Sequence, residues 1–148
     1  MKAFVRWSLT MIPFLYMILI WVLSSLPDTA VIELPDDAFD RFFKESLHVI
    51  EFGILYSFFI LALLAHDRLT YTANLFVALV AAFYGLVDEI HQSFIPYRSA
   101  TIIDAVKDLI GVGISFWIVN RTYFTRPSHF LTRGMKWLTG VIMKKEGA

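Results

Sequence analysis

The sequence contains no cysteine. Disulfide scaffolding, thiolate catalysis and cysteine-ligated zinc are excluded at once. It is also poor in charge: Asp, Glu, Lys and Arg make up 18% of the chain, against about 25% in a typical soluble domain. Neither sign is in excess, since 13 basic residues face 13 acidic ones. A neutral chain offers a polyanion little to hold, so nucleic acid is not expected as a partner. There is no internal repeat and no low-complexity segment. At 148 residues there is room for one small domain and none for a soluble enzyme domain beside it. What the chain has in abundance is apolar surface: 57% hydrophobic, 16% aromatic, mean hydropathy +0.63.

That apolar surface falls into four runs. They cover Ser8 to Leu26, Leu47 to Ala65, Tyr71 to Ile90 and Ile102 to Val119. Each approaches the ~20 residues a helix needs to cross ~30 Å of hydrocarbon. Pro13 interrupts the first run and is tolerated there as a kink. That run exceeds the ~7–15 apolar residues of a signal peptide. Ser24-Ser25-Leu26-Pro27 is also a poor cleavage site, so the reading is a retained helix. The expectation is an all-α integral membrane bundle of four transmembrane helices over residues 1–120. A basic amphipathic segment over 121–148 follows it.

The connections set the orientation. Nine basic residues (Lys2, Arg6, Arg68, Arg121, Arg126, Arg133, Lys136, Lys144, Lys145) fall on one side, and three (Arg41, Lys44, Arg98) on the other. Lys107 lies inside a span. Basic residues accumulate in the cytoplasm, so both termini are expected there. The connection from Pro27 to Ser46, rich in Asp and Glu, and the one from Ser93 to Thr101 are then outside. In the tail, Phe130, Leu131, Met135, Leu138, Val141 and Ile142 recur near helical spacing among Arg133, Lys136 and Lys144. Such a helix lies flat on an anionic membrane surface.

Charges remain where a bilayer should reject them. Lys44, His48 and Glu51 stand at i, i+4 and i+7 and share one face of the second helix. On the third, Tyr84, Asp88 and His91 share a face, with Glu89 and Gln92 turned aside by one residue. On the fourth, Asp104, Lys107, Asp108 and Gly111 share a face. Arg98 is in the short connection between the last two. Three stretches thus bring charge to one level at one side of the membrane. One ionisable side chain at that depth costs roughly 2.5–3.5 kcal/mol on the mildest scale. Such groups are paired, used on a ligand, or both.

The run Tyr84-x-x-x-Asp88-Glu89-x-x-Gln92-x-Phe94-x-Pro96-x-Arg98, with Lys44-x-x-x-His48 before it and Asp104 after it, resembles the VanZ-like membrane proteins. That family is named for an accessory factor in low-level resistance to the glycopeptide teicoplanin. The resemblance extends from Ser24-Ser25-x-Pro27 to Gly111 and Gly113. One position departs from it: Asp108 stands where the family pattern has Asn. The resemblance implies a multi-pass protein of the bacterial cytoplasmic membrane and cell envelope; it implies no reaction.

The acids Glu51, Asp88, Glu89, Asp104 and Asp108 outnumber the nearby bases Lys44, Arg98 and Lys107. Some acid must hold a proton, bind a cation or meet a basic ligand. Two chemistries fit. In one, His48, Glu51, Asp88 and His91 bind a divalent cation, since His48-x-x-Glu51 and Asp88-x-x-His91 each aim two donors from one helix. In the other no metal is needed. There Lys44, Gln92, Arg98, Asp104 and Asp108 bind the substrate, with Arg98 and Lys44 on its phosphate, while His48, Glu51, Asp88 and Glu89 act on protons. The partner expected is a membrane lipid or a lipid-linked envelope precursor. A non-catalytic binder or scaffold, its charged cluster purely structural, stands beside the enzyme reading. An ion pathway needs polar groups across the full depth. The inner halves offer mainly Ser57, Ser115, Asn74 and Asn120.

Overall fold

Two threonines start two of the helices. Thr70 accepts a hydrogen bond from the Ala73 amide (3.1 Å), and Thr101 accepts one from the Asp104 amide (3.2 Å). Both are N-caps with extended backbone, each satisfying a donor the first turn leaves open. The computed structural model describes residues 2–26, 37–96, 98, 101–126 and 128–143, excepting the side chains of 2, 37–45 and 143. Its helices are α1 (Lys2–Ser24), α2 (Asp37–Ala65), α3 (Tyr71–Gln92), α4 (Ile102–Val119) and α5 (Phe130–Met143). A π-helical segment, Asn120–Thr125, follows α4 directly. No strand occurs among the described residues.

Among the described residues, three helical stretches are long and apolar enough to cross a membrane: Ala3–Ser24, Ser46–Ala65 and Tyr71–Gln92. The fourth, α4, has 18 residues and carries Asp104, Lys107 and Asp108 in its first half. Its bounds are those of the fourth apolar run. Three helices outrun their runs, α3 by two residues at its end (Gln92 rather than Ile90) and two others at their starts. α1 begins at Lys2 rather than Ser8, and α2 at Asp37 rather than Leu47. A run of apolar residues ends at its first charges, but the backbone hydrogen-bond ladder does not. The connection read from Pro27 to Ser46 is therefore helical from Asp37 onward. Phe39, Phe42 and Phe43 already follow helical spacing there. Asp28, Glu33 and Asp36 lie outside the described residues.

α2 is the central helix and touches α1, α3, α4 and α5. It buries Phe52, Leu55, Tyr56, Phe59, Ile60 and Leu64. These pack on Ile20 of α1, on Val77, Ala78 and Ala81 of α3, and on Val112 of α4. One polar pair is buried with them, the Tyr56 hydroxyl donating to Asn74 Oδ1 across α2 and α3. The outward faces of the neighbours stay apolar, with Phe14, Ile18, Phe76, Phe83, Ile103 and Trp117 all exposed. A bundle with such a periphery suits a hydrocarbon surround.

Glycines set the spacing of α2, α3 and α4. A Cβ on Gly111 would lie 2.1 Å from the Val49 carbonyl oxygen, so here the two backbones touch. Gly53 meets Ser115 and the Gly111 carbonyl in the same crossing. Gly85 of α3 leaves room for the Asp108 side chain, whose Cβ would be 3.0 Å from a Cβ there. Small residues at helix crossings let backbones approach in this way. By contrast, nothing lies within 4 Å of a Cβ built on Gly113.

The tail packs on the bundle. Thr139 donates to the Leu64 carbonyl (3.2 Å), Arg6 to the Ile142 carbonyl (3.5 Å), and Thr132 to the Thr122 carbonyl. Of the apolar residues singled out in the tail, Leu131, Met135, Leu138 and Ile142 turn inward, while Phe130 and Val141 stay exposed with Trp137.

Candidate functional site

The polar residues gather at the end of the bundle where α1 and α3 finish and α4 begins. α3 organises them. Successive helix residues are about 100° apart. Taking Asp88 as the reference, Tyr84 and His91 fall on one flank, Gly85 and Glu89 on the other, and Gln92 close to Asp88. The first flank meets α1. There Tyr84 donates to the Met17 carbonyl (2.6 Å), while the His91 ring stacks on Trp21 at 3.8 Å and hydrogen-bonds Ser25 through Nε2 (2.9 Å). The second flank meets α4, where Gly85 admits Asp108. Glu89 and Gln92, read from the sequence as turned aside, are buried. His91, read beside Asp88, goes to α1 instead. A helix enclosed on two flanks buries an arc wider than one stripe.

Between α2, α3 and α4 lies a buried trio. His48 Nδ1 is 3.3 Å from Asp108 Oδ1 and 3.9 Å from Glu89 Oε1. The side chains are 17%, 1% and 9% exposed in the order His48, Asp108, Glu89. His48 Nδ1 and all four carboxylate oxygens of Glu89 and Asp108 have no hydrogen-bond partner among the described residues. Beyond one another these groups have no polar partner there, and burying charge without hydrogen bonds to satisfy it costs several kcal/mol.

A second group runs from α3 to α1. Gln92 donates to Asp88 Oδ2 and accepts from Arg98 Nε (3.0 Å). Arg98 Nη1 donates to the Leu23 carbonyl (2.9 Å) and the Leu26 carbonyl (2.8 Å). The guanidinium thus caps the C-terminal end of α1, where the last carbonyls lack helical partners. At the start of α4, Lys107 donates to Asp104 (2.9 Å), which also accepts from the Thr101 hydroxyl (2.7 Å). Asp104 and Lys107 form this rim pair, whereas Asp108, on the same helix face, is fully enclosed. Lys44 belongs to α2, and its side chain lies outside the described residues.

A cavity of about 320 Å³ opens between α1, α2 and α3. Its apolar wall includes Ile20, Leu23, Leu47, Ile50 and Ile54; its polar end is His48, Glu51, Asp88, Gln92 and Arg98. The volume is within the range of small-molecule sites. His48 is shared: its ring lines the cavity, and its Nδ1 belongs to the trio behind it.

Sequence reasoning singled out His48, Glu51, Asp88, Gln92 and Arg98, all of which line the cavity, and Glu89 and Asp108, which lie in the trio. It named Ser25 only within the Ser24-Ser25-x-Pro27 turn and missed its bond to His91, along with Trp21 and the carbonyls of Leu23 and Leu26, because a backbone carbonyl at a helix end carries no signature in the sequence. Gly85 carried one weak signal, a lone glycine inside a helical run three residues before Asp88.

The model of one family, VanZ/LLP1, matches residues 2–124. The match takes in α1 to α4 and stops before α5. No curated protein and no solved structure matches the chain.

Proposed function

Because the chain belongs to the VanZ/LLP1 family and carries a cavity apolar along one wall and charged at one end, we propose that it binds or acts on an amphiphile with a phosphate-bearing head. The setting is the bacterial cell envelope. The observation that carries this is the cavity lining. Ile20, Leu23, Leu47, Ile50 and Ile54 suit a hydrocarbon tail, and Arg98 and Gln92 a polar head. Arg98 brings positive charge to the rim, while its Nε and Nη1 hold Gln92 and α1. Four helices span the membrane in this reading, both termini are cytoplasmic, and the cavity opens outward at headgroup depth. α5 lies on the cytoplasmic surface with Trp137 and Phe130 toward lipid. A link to glycopeptide resistance belongs to the same proposal.

Ile54 lines the cavity and is partly exposed. Ile54→Trp should fill the tail channel without touching a charged group. Purified from cells, the native chain should carry a phosphorylated amphiphile detectable by mass spectrometry, and the Ile54→Trp protein should carry less than about a tenth as much. Cells expressing the native chain should tolerate more teicoplanin than cells expressing the variant. Equal lipid loading, with the variant folded, would remove the cavity as the binding site.

Orientation has its own test. Phe94 is exposed in the connection after α3, and Arg68 in the turn before it. With no native cysteine to interfere, Phe94→Cys should react with an impermeant thiol reagent in intact cells and Arg68→Cys should not. The opposite pattern would turn the cavity toward the cytoplasm.

A further inference from the structure

The buried trio is one imidazole and two carboxylates, one donor each from α2, α3 and α4. We propose that His48, Glu89 and Asp108 hold a single divalent first-row metal ion. The proposal goes beyond the amphiphile reading and does not depend on it.

Three observations carry it. First, these groups lack other partners. His48 Nδ1, both Glu89 oxygens and both Asp108 oxygens are buried with no hydrogen bond among the described residues. Among the described side chains, the neighbouring cations and the imidazole of His91 are engaged elsewhere. Lys107 is on Asp104, Arg98 on Gln92 and the end of α1, and His91 against Trp21. Two enclosed carboxylates facing one imidazole leave an excess of negative charge that a bound cation would neutralise.

Second, the spacing fits. One ligand atom from each residue lies within 4.8 Å of the other two. The separations from His48 Nδ1 are 3.3 Å to Asp108 and 3.9 Å to Glu89. Bonds of about 2.0–2.2 Å to one ion put donors roughly 3.0–4.2 Å apart, depending on the angle between them. Small rotations of two carboxylates bring all three into that range.

Third, the frame is fixed. Gly111 seats α4 directly on the α2 backbone beside His48, and Gly85 gives Asp108 its place against α3. A site built on packed helices holds its donors in position.

The imidazole suits Zn²⁺, and the two carboxylates also suit Mn²⁺, so these are the two ions to test. His48 also lines the cavity, so an ion held here lies beside the space where a phosphate-bearing head would sit. A cation between acid side chains and phosphate oxygens is a standard solution to their mutual repulsion.

The test uses the full chain in detergent, without a histidine tag, stripped with chelator and titrated with Zn²⁺ alone and Mn²⁺ alone. No amphiphile is added, so a failure here leaves the lipid co-purification result untouched. The native protein should bind one equivalent of at least one of these ions. Asp108→Asn and Glu89→Gln should each weaken binding by more than about tenfold. His91→Gln, which removes an imidazole outside the trio but at the same end of the bundle, should bind as the native chain does. X-ray absorption on the zinc-loaded native protein reads the site without relying on any variant. It should give one imidazole nitrogen with oxygen donors at about 2.0–2.2 Å. Absence of stoichiometric binding in the native chain overturns the proposal, as does a spectrum without an imidazole. Unchanged affinity in a folded Asp108→Asn protein does the same.

Discussion

Gly111→Val should separate α2 from α4 and leave no stably folded protein in detergent. The Val49 carbonyl oxygen would lie 2.1 Å from a Cβ at position 111, about 1 Å inside contact distance. That oxygen belongs to a helix backbone, so no side-chain rotation relieves the clash. Gly111→Ala already forces the helices apart and should cost about 1–3 kcal/mol, the usual range for overpacking. Valine adds two methyl groups to the same gap and should exceed that range. Gly113→Ala, two residues on, is the control: its Cβ meets nothing within 4 Å. Thermal unfolding should rank the proteins native, then Gly113→Ala close beside it, then Gly111→Ala, with Gly111→Val failing to give a monodisperse species. An unaltered melting temperature in Gly111→Ala would mean that α2 and α4 do not meet in this way.

Arg98→Ala should lower the melting temperature by removing three hydrogen bonds at once. The guanidinium joins the Gln92 amide to two carbonyls at the end of α1. The bonds are charge-assisted but partly solvated, so the expected loss is about 1–2 kcal/mol. For a chain of this size that is about 3–8 °C. Arg98→Lys should fall between. Lysine reaches one carbonyl, but its ammonium is a point donor and cannot span the carbonyls and Gln92 together. A lysine protein as stable as the native one would show that the fork is not needed structurally. Losing amphiphile at full stability would put the guanidinium on the head group.

The sequence revealed much of the helical frame and the set of charged residues, and less of their pairing. α4 coincides with the run read at about Ile102 to Val119, although Thr101 was not read as its cap and Asp104, Lys107 and Asp108 interrupt the run. The start of α2 was not legible, because hydropathy stops at Lys44 and Glu45 while the helix continues back to Asp37. Spacing on one helix puts residues on a shared face, yet the tertiary neighbour decides what each meets. Asp104 and Asp108 share a face of α4 and still differ completely. Asp104 sits at the rim with Lys107, and Asp108 is enclosed against His48. Asp88 and His91 part company for the same reason, since α1 covers one flank of α3 and α4 the other. Helix periodicity holds no information about which neighbour takes which flank.

The latch on α1 has a consequence for biosynthesis. The Leu26 carbonyl and its Arg98 donor are 72 residues apart in the chain, and the Ser25–His91 and Met17–Tyr84 bonds are 66 and 67 apart. Every one of these partners is translated after α2. At about 5–20 residues per second, the end of the first helix waits roughly 4–15 s for Arg98 to be made. During that interval α1 has α2 to pack against and, at its last turn, only the local bonds of Ser24, Ser25 and Leu26 to Trp21, Val22 and Leu23. The segment synthesised first is thus among the last to be secured. A ribosome stalled between α2 and α3 would hold a helical hairpin whose N-terminal member is closed at its C-terminal end by local bonds alone.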